Sequence, residues 1–258
     1  LHFAAATIVP ESMEMPLEYF EANVVGSHNL ISATIEAGTP RFIFSSTAAV
    51  YGDAMTETIS EEHPLNPINP YGLSKLMVEQ MLEWHHRRYD LNVAIFRYFN
   101  VAGATESCGE DHSPETHLIP VAIQFAQGKR SSFTVFGTDY DTPDGTCIRD
   151  YVHVADLVDA HLLATDWLAD NRWGVFNLGT TSGTSVREIV QAVAEQAGEM
   201  PGITYGERRA GDPARLVADA TRARTDLGWS PRQSDVTTMV KSAWDWMEAH
   251  PAGYDDRS

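Results

Sequence analysis

Apolar and polar positions along this chain fall into blocks that switch between strand and helix periodicity. Leu1–Ala6 reads as a buried strand, and after a loop to Pro16 a helical stretch from about Leu17 to Ala37 is closed by Gly38 and Pro40. Phe42–Ser46 is an apolar strand, followed by a loop rich in Pro and Asn through Pro70, a helix to about Arg88, and a strand at Val93–Tyr98. On that helix Leu73, Met77, Met81, Leu82 and Trp84 suit a stripe facing the core. Strand and helix alternating in this way predict parallel strands joined by crossover helices. From Gly103 the pattern loosens into a polar loop, a helix near Ile119–Gln127 and a strand at Phe133–Phe136. A Gly/Asp/Pro loop to Arg149 follows, then a helix over Val154–Asp170 and a strand at Val175–Leu178. Ser185 and Glu188 are spaced as a capping box that opens a helix to Ala197. Strands near Ile203–Tyr205 and Leu216–Ala218 and a helix stopped at Gly228 come next. The last helix, about Ser234–Ala249, presents Val236, Met239, Val240, Ala243 and Met247 on one side.

The run Asn69-Pro70-Tyr71-Gly72-Leu73-Ser74-Lys75 carries the candidate chemistry. Pro70 can open a helix, because its missing N–H falls where no intrahelical partner exists. Tyr71 and Lys75, four apart, then share one face. A free phenol titrates near ~10 and is a poor base at neutral pH; a neighbouring cation favours the phenolate and is expected to bring it toward the working range. Upstream, Phe42–Ser46 runs into Thr47 and so ends in three hydroxyls, at the strand end where open parallel sheets bind ligands. Thr47, Tyr71 and Lys75 therefore read as a proton-handling set acting on an alcohol, against the plainer reading of an exposed helix face.

Composition narrows the class. A length of 258 residues, 43% hydrophobic and 21% charged, fits one large or two small globular domains. No apolar run is long enough to span a bilayer, and no cationic leader with an apolar core is seen. Cys108 and Cys147 lie far apart without metal-ligand spacing, as expected of a cytoplasmic protein. A formal charge of −18 disfavours nucleic acid or an anionic membrane as partner, and an anionic ligand then needs locally placed arginines. The ten histidines are scattered, so no metal site is expected.

Several segments together resemble the extended short-chain dehydrogenase/reductase family, and within it the UDP-glucose 4-epimerases: Leu1–Ala5, Phe42–Asp53, Pro70–Glu79, Arg97–Ala104, Asp144–Asp156, Val175–Gly179 and Arg208–Asp212. The resemblance implies an α/β fold, a Rossmann-type doubly wound parallel sheet lacking its first strands and a smaller mixed α/β substrate-binding domain. The NAD-binding part is expected over residues 1–103, with 150–180 returning to it, and the UDP-sugar-binding part over 104–149 and 181–258. No Gly-x-Gly-x-x-Gly turn is present, so the chain reads as entering the first domain midway, and residues 1–258 alone are expected to hold NAD poorly. The implied reaction is C4 epimerisation of a UDP-hexose by NAD through a 4-keto sugar and NADH.

The same resemblance distributes roles. Tyr71 is the base, Lys75 holds the nicotinamide ribose and tunes Tyr71, and Thr47 hydrogen-bonds the sugar; Thr47, Tyr71 and Lys75 also count among the cofactor contacts. Phe3, Ala4, Ala5, Ala6, Thr7 and Phe99 match cofactor-contacting positions, Thr7 departing from a lysine common in relatives. Asn100, His117, Leu118, Thr134, Phe136, Arg149, Arg209 and Asp212 match substrate-contacting positions. Arg149 and Arg209 offer guanidinium forks for a diphosphate, Asp212 takes ribose hydroxyls, and Thr134–Phe136 forms the uracil-side wall. Plainer readings make Arg149 a surface partner of Asp150, Arg209 and Asp212 a solvated loop, and Phe136 a core residue. A nucleotide-sugar dehydratase would need Asp-Glu where Ala48 and Ala49 stand. Leu216 falls near the position where the family gates an N-acetyl group, which leaves other UDP-sugars such as UDP-N-acetylglucosamine or a UDP-pentose as an alternative. An inactive fragment or binding module is the non-enzymatic alternative. A homodimer pairing the helices after Leu17 and Ser74 is also implied.

Overall fold

The computed structural model describes residues 1–53, 56–170, 172–200, 202–209 and 212–254. In chain order the elements are α1 (Val9–Glu14), α2 (Pro16–Phe20), α3 (Gly26–Glu36), β1 (Arg41–Thr47), α4 (Pro70–Tyr89), β2 (Asn92–Tyr98), β3 (Asn100–Ala102), α5 (Leu118–Ala126), β4 (Thr134–Phe136), β5 (Ile148–Arg149), β6 (Tyr151–His153), α6 (Val154–Trp167), β7 (Trp173–Leu178), β8 (Thr184–Ser185), α7 (Val186–Ala197), β9 (Thr204–Gly206), β10 (Arg215–Leu216), α8 (Thr221–Leu227) and α9 (Val236–Ala249). The chain divides into two compact units. The first comprises Leu1–Phe99, Asp159–Gly179 and Ala218–Trp229; the second comprises Asn100–Val158, Thr180–Val217 and Ser230–Ser258.

The first unit is built on the parallel sheet β1-β2-β7, in register from Arg41 opposite Asn92 to Thr47 opposite Tyr98. Strands buried on both faces carry near-continuous apolar runs, and β1 is buried along its length after Arg41. On one face Ile31, Val78 and Leu82 from α3 and α4 pack on Phe42, Phe44, Val93 and Ile95, each side chain contributing about 1.5–3 kcal/mol through burial. On the other face Phe96 and Phe176 meet His161 and Trp167 of α6, and the Arg222 guanidinium of α8 lies 5.8 Å from the Phe176 ring centre. Leu1–Ala6 is less of a strand than its composition predicts. Only His2 bridges β1, opposite Phe44, while Leu1 and Phe3 are exposed; among the described residues nothing pairs with the outer edge of this segment.

The helix expected over 17–37 begins at Pro16 and is interrupted by a π-helical turn at Glu21–Val25. Helix α4 starts where its sequence requires: Asn69 caps it by accepting from Gly72 N at 2.8 Å, with Pro70 following. Its predicted core stripe needs correction. Leu73, Met77 and Trp84 are exposed, Trp84 by 68%, and the buried face consists of Leu76, Val78 and Leu82 with the polar Ser74, Lys75 and Glu79. Polar groups can occupy a core-facing stripe when each finds a partner, and an apolar periodicity cannot register them.

In the second unit α5, α7 and α9 enclose a core of Ile119, Ile123, Ile189, Val193, Met239 and Val240. Beside it lie three short sheets, β10-β5-β8, β3-β6 and β4-β9. The Ser185/Glu188 capping box is formed as predicted, Glu188 N donating to Ser185 Oγ at 3.0 Å and Ser185 N to Glu188 Oε2 at 2.7 Å. The division expected after residue 103 falls after Phe99. Residues 150–158 belong to the second unit because β6 pairs with β3. Residues 218–229, expected in the second unit, belong to the first, where Ala218 bridges Ile59.

Candidate active site

In the first unit the carboxyl end of β1 delivers Thr47 into a turn at Ala48–Val50, where its Oγ1 accepts from Ala49 N at 3.1 Å. The first turn of α4 lies against that turn closely enough that a Cβ on Gly72 would meet Ala49 O at 2.6 Å. This approach sets the Tyr71 phenol close enough to the Thr47 side chain for the two to interact. Lys75, 4% exposed, donates from Nζ to Ser45 O at 2.9 Å and lies over the Phe44 ring, 5.0 Å from its centre. Its ammonium is 6.0 Å from the centre of the Tyr71 ring. The three residues singled out from the sequence therefore come together.

The electrostatics differ from expectation. Burial raises the Tyr71 phenol above its ordinary value, and the polar Thr47 side chain only partly offsets this. Burial likewise lowers Lys75 from 10.5 to about 8, with the Glu79 carboxylate pulling the other way. Desolvation opposes the charged form of both groups, so the protein alone does not make a phenolate of Tyr71.

Sequence reasoning missed what fixes these groups. Asn23, presented by the π-helical turn, holds Ala6 through both its backbone groups, accepting from Ala6 N at 2.8 Å and donating to Ala6 O at 3.0 Å. The same amide donates to Ser74 Oγ at 3.0 Å, joining the Phe3–Thr7 segment to the helix that carries Tyr71 and Lys75. A π-turn is a recurrent mark of a functional site, but it has no sequence signal here. One turn below Lys75, Glu79 forms a buried two-point pair with Arg97, Nη2 to Oε2 at 2.6 Å and Nε to Oε1 at 3.1 Å. Arg97 also reaches Tyr51 Oη at 3.0 Å, and Tyr51 donates to Asn177 at 2.6 Å. Phe99 joins this unit through its N–H, which donates to Leu178 O at 3.3 Å.

These groups fit the nicotinamide end of NAD. An ammonium carries three donors, and Lys75 directs one to Ser45 O. Phe3 and Ala4 are exposed just beyond the His2 bridge to β1. The remaining ammonium donors suit a ribose diol, and the exposed Phe3–Ala4 segment suits a carboxamide.

In the second unit Arg149 pairs with Asp212, not with Asp150: Nη2 meets Asp212 Oδ1 at 2.7 Å, and Nη1 donates to Ile148 O and Pro213 O at 2.9 Å each. Asp150 instead accepts from Thr180 N at 2.6 Å and Thr181 N at 2.9 Å. Phe136 is not a core residue: it is 37% exposed, and the Arg209 guanidinium sits 4.2 Å from its ring centre. Thr134 precedes it on β4. Ala210 and Gly211, in the same motif as Arg209 and Asp212, lie outside the described residues. Asn100 Nδ2 donates to Asp150 O at 3.1 Å. His117, just before Leu118 opens α5, is engaged by Glu110 and Glu115, whose carboxylates raise its pKa to about 10. Two carboxylates at that imidazole oppose an approaching diphosphate, so its assignment as a substrate contact is weakened.

A parallel αβα unit with a Thr/Tyr/Lys set at the carboxyl end of a strand defines the nicotinamide-dependent short-chain enzymes. Residues 1–179 match the model of the NAD dependent epimerase/dehydratase family, and the chain belongs to that family. The UDP-glucose 4-epimerase of Halalkalibacterium halodurans is 46% identical over 257 residues, 98% of this chain and 77% of that protein. A crystal structure of a UDP-glucose 4-epimerase superposes with a TM-score of 0.96 at 49% identity, covering 99% of this chain and 78% of that one. The Brucella ovis UDP-glucose 4-epimerase, solved in complex with NAD, gives 0.92 at 44% identity over 95% of this chain and 76% of that one.

Proposed function

We propose that this protein interconverts UDP-glucose and UDP-galactose by inverting C4 of the hexose, with NAD as cofactor. The observation that carries this reading is the gathering of Thr47, Tyr71 and the buried Lys75 at the end of β1, with the Lys75 ammonium 6.0 Å from the Tyr71 ring centre. NAD, when bound, would accept the hydride from C4 and return it to the opposite face of the keto sugar, and would add a positive charge to the site. Thr47 and Tyr71 bind the sugar 4-hydroxyl and move its proton, Tyr71 taking it on oxidation to the 4-keto sugar and returning it after the sugar has turned over. The cationic surroundings needed to offset the raised Tyr71 pKa come from Lys75 together with the cofactor. Lys75, Phe3, Ala4, Ala5, Ala6, Thr7 and Phe99 hold the cofactor. Arg149 and Arg209 suit the diphosphate, Asp212 the ribose, and Phe136 the uracil, with Asn100, Leu118 and Thr134 as further substrate contacts.

Tyr71→Phe removes the proton acceptor while leaving the ring in place. Turnover of UDP-galactose is expected to fall by roughly 10²–10⁴, with UDP-sugar affinity preserved by calorimetry. Wild-type turnover in that variant would refute the assignment. Leu216, half-buried on β10 beside Arg149 on β5, is smaller than tyrosine and favours acceptance of an N-acetylated UDP-sugar as a second activity. The exposed stripe of Leu73, Met77 and Trp84, with Leu17 and Val25 exposed in the same unit, supports a homodimer paired through α4. No helix among the described residues is long and apolar enough to cross a membrane.

A further inference from the structure

Four side chains outside the sugar chemistry converge in the second unit. Glu110, His112, Glu115 and His117 each bring one donor atom into a set whose members all lie within 4.8 Å of one another. Nδ1 of His117 meets Glu110 Oε1 at 2.6 Å and Glu115 Oε1 at 2.9 Å, and the His112 and His117 ring centres are 5.5 Å apart. Glu115 is already held in place: its side chain is 5% exposed, and Oε1 accepts from Thr116 N and His117 N at 2.7 Å each. The neighbouring backbone is anchored by Arg130, which donates to Glu115 O at 2.7 Å. Nδ1 of His112 is buried and has no hydrogen-bond partner. A buried polar atom left unpaired is uncommon in a native fold and points to a missing partner.

We propose that Glu110, His112, Glu115 and His117 form a structural zinc site that ties the 110–117 loop to the start of α5. Two imidazoles and two carboxylates are the donor types zinc takes in four-coordinate sites, with bonds of ~2.0–2.2 Å; calcium and magnesium would demand more oxygen ligands. Tetrahedral bonds of that length put ligand atoms roughly 3.4 Å apart, so the widest pairs must close by up to about 1.4 Å while the hydrogen-bonded His117–Glu110 and His117–Glu115 pairs open by about 0.5–0.8 Å. Glu110 and His117, the more exposed members, have the freedom to do so around the fixed Glu115. Two carboxylates balance the dication and outweigh the roughly half positive charge of the α5 N-terminus. All four ligands fall within eight residues, so little chain entropy opposes their gathering. The spacing Glu-x-His-x-x-Glu-x-His was legible in the sequence, although scattered histidines had argued against a metal. The site gives His117 a structural role in place of a contact to diphosphate.

The test uses the untagged protein, stripped with EDTA and titrated with Zn²⁺ by calorimetry. One ion per chain is expected, with a dissociation constant below about 1 μM, and Co²⁺ in its place should give the visible absorption of a tetrahedral site. His112→Ala and Glu110→Gln should each weaken binding more than the ~10–100-fold that loss of an outer partner costs. His85→Ala/His86→Ala on α4 should leave binding unchanged, and circular dichroism of each variant reports whether it folds. Absence of uptake at about 100 μM Zn²⁺, binding unaltered by His112→Ala, or binding abolished by the His85/His86 pair would each overturn the proposal.

Discussion

Lys75→Met separates the electrostatic cost of the candidate site from its function. Burial lowers Lys75 from 10.5 to about 8, and at ~1.36 kcal/mol per pKa unit a 2.5-unit depression is a penalty of roughly 3 kcal/mol for holding the ammonium charged at neutral pH. The unfolded chain binds the proton more tightly, so between about pH 8 and 10.5 it carries more protons than the folded one and stability rises with pH. Below pH 8 both states are protonated and the penalty is present in full; above 10.5 it is gone. Between pH 7 and 9.5 the wild type should gain about 2 kcal/mol from this group alone. Methionine fills a similar volume without charge. It forfeits the hydrogen bond to Ser45 O, which is worth about 1.5–3 kcal/mol for a charged donor. Lys75→Met is therefore expected to be as stable as the wild type or up to about 2 kcal/mol more stable at pH 7, and to lose that advantage by pH 9.5. Urea denaturation of both proteins at the two pH values measures this as a double difference, in which other titrating groups cancel. Epimerase turnover should collapse in the same variant, a trade of function for stability. A variant less stable than wild type by more than about 1 kcal/mol at pH 7, with no narrowing or widening of the gap at pH 9.5, would show that Lys75 is not held against a desolvation penalty.

Two further outcomes follow from the supporting structure. Arg97→Leu strands the buried Glu79 carboxylate and should destabilise the first unit by about 3–5 kcal/mol, read as a large fall in the urea midpoint, whereas a shift below 1 kcal/mol would mean that Glu79 finds another partner. Gly72→Ala forces a Cβ to within 2.6 Å of Ala49 O; overpacking of this kind costs about 1–3 kcal/mol, and because it pushes Tyr71 away from Thr47, kcat should fall more than KM rises.

What the chain determined locally came from short-range sterics and hydrogen bonding. Asn69 and Pro70 set the start of α4, placing Tyr71 and Lys75 on one face, and Ser185 with Glu188 set the start of α7. Alternating apolar blocks gave the parallel strands and their crossover helices, since a strand buried on both faces can hardly be written otherwise. Tertiary structure alone decided which face of each element meets another. It turned Leu73, Met77 and Trp84 outward and buried Glu79 against Arg97, a partner 18 residues away on β2. It sent α8 back to the first unit and left Phe136 exposed beneath Arg209. It also set the signs of the pKa shifts. Spacing placed Lys75 near Tyr71, but the water each group lost on burial, which no spacing encodes, raised one and lowered the other.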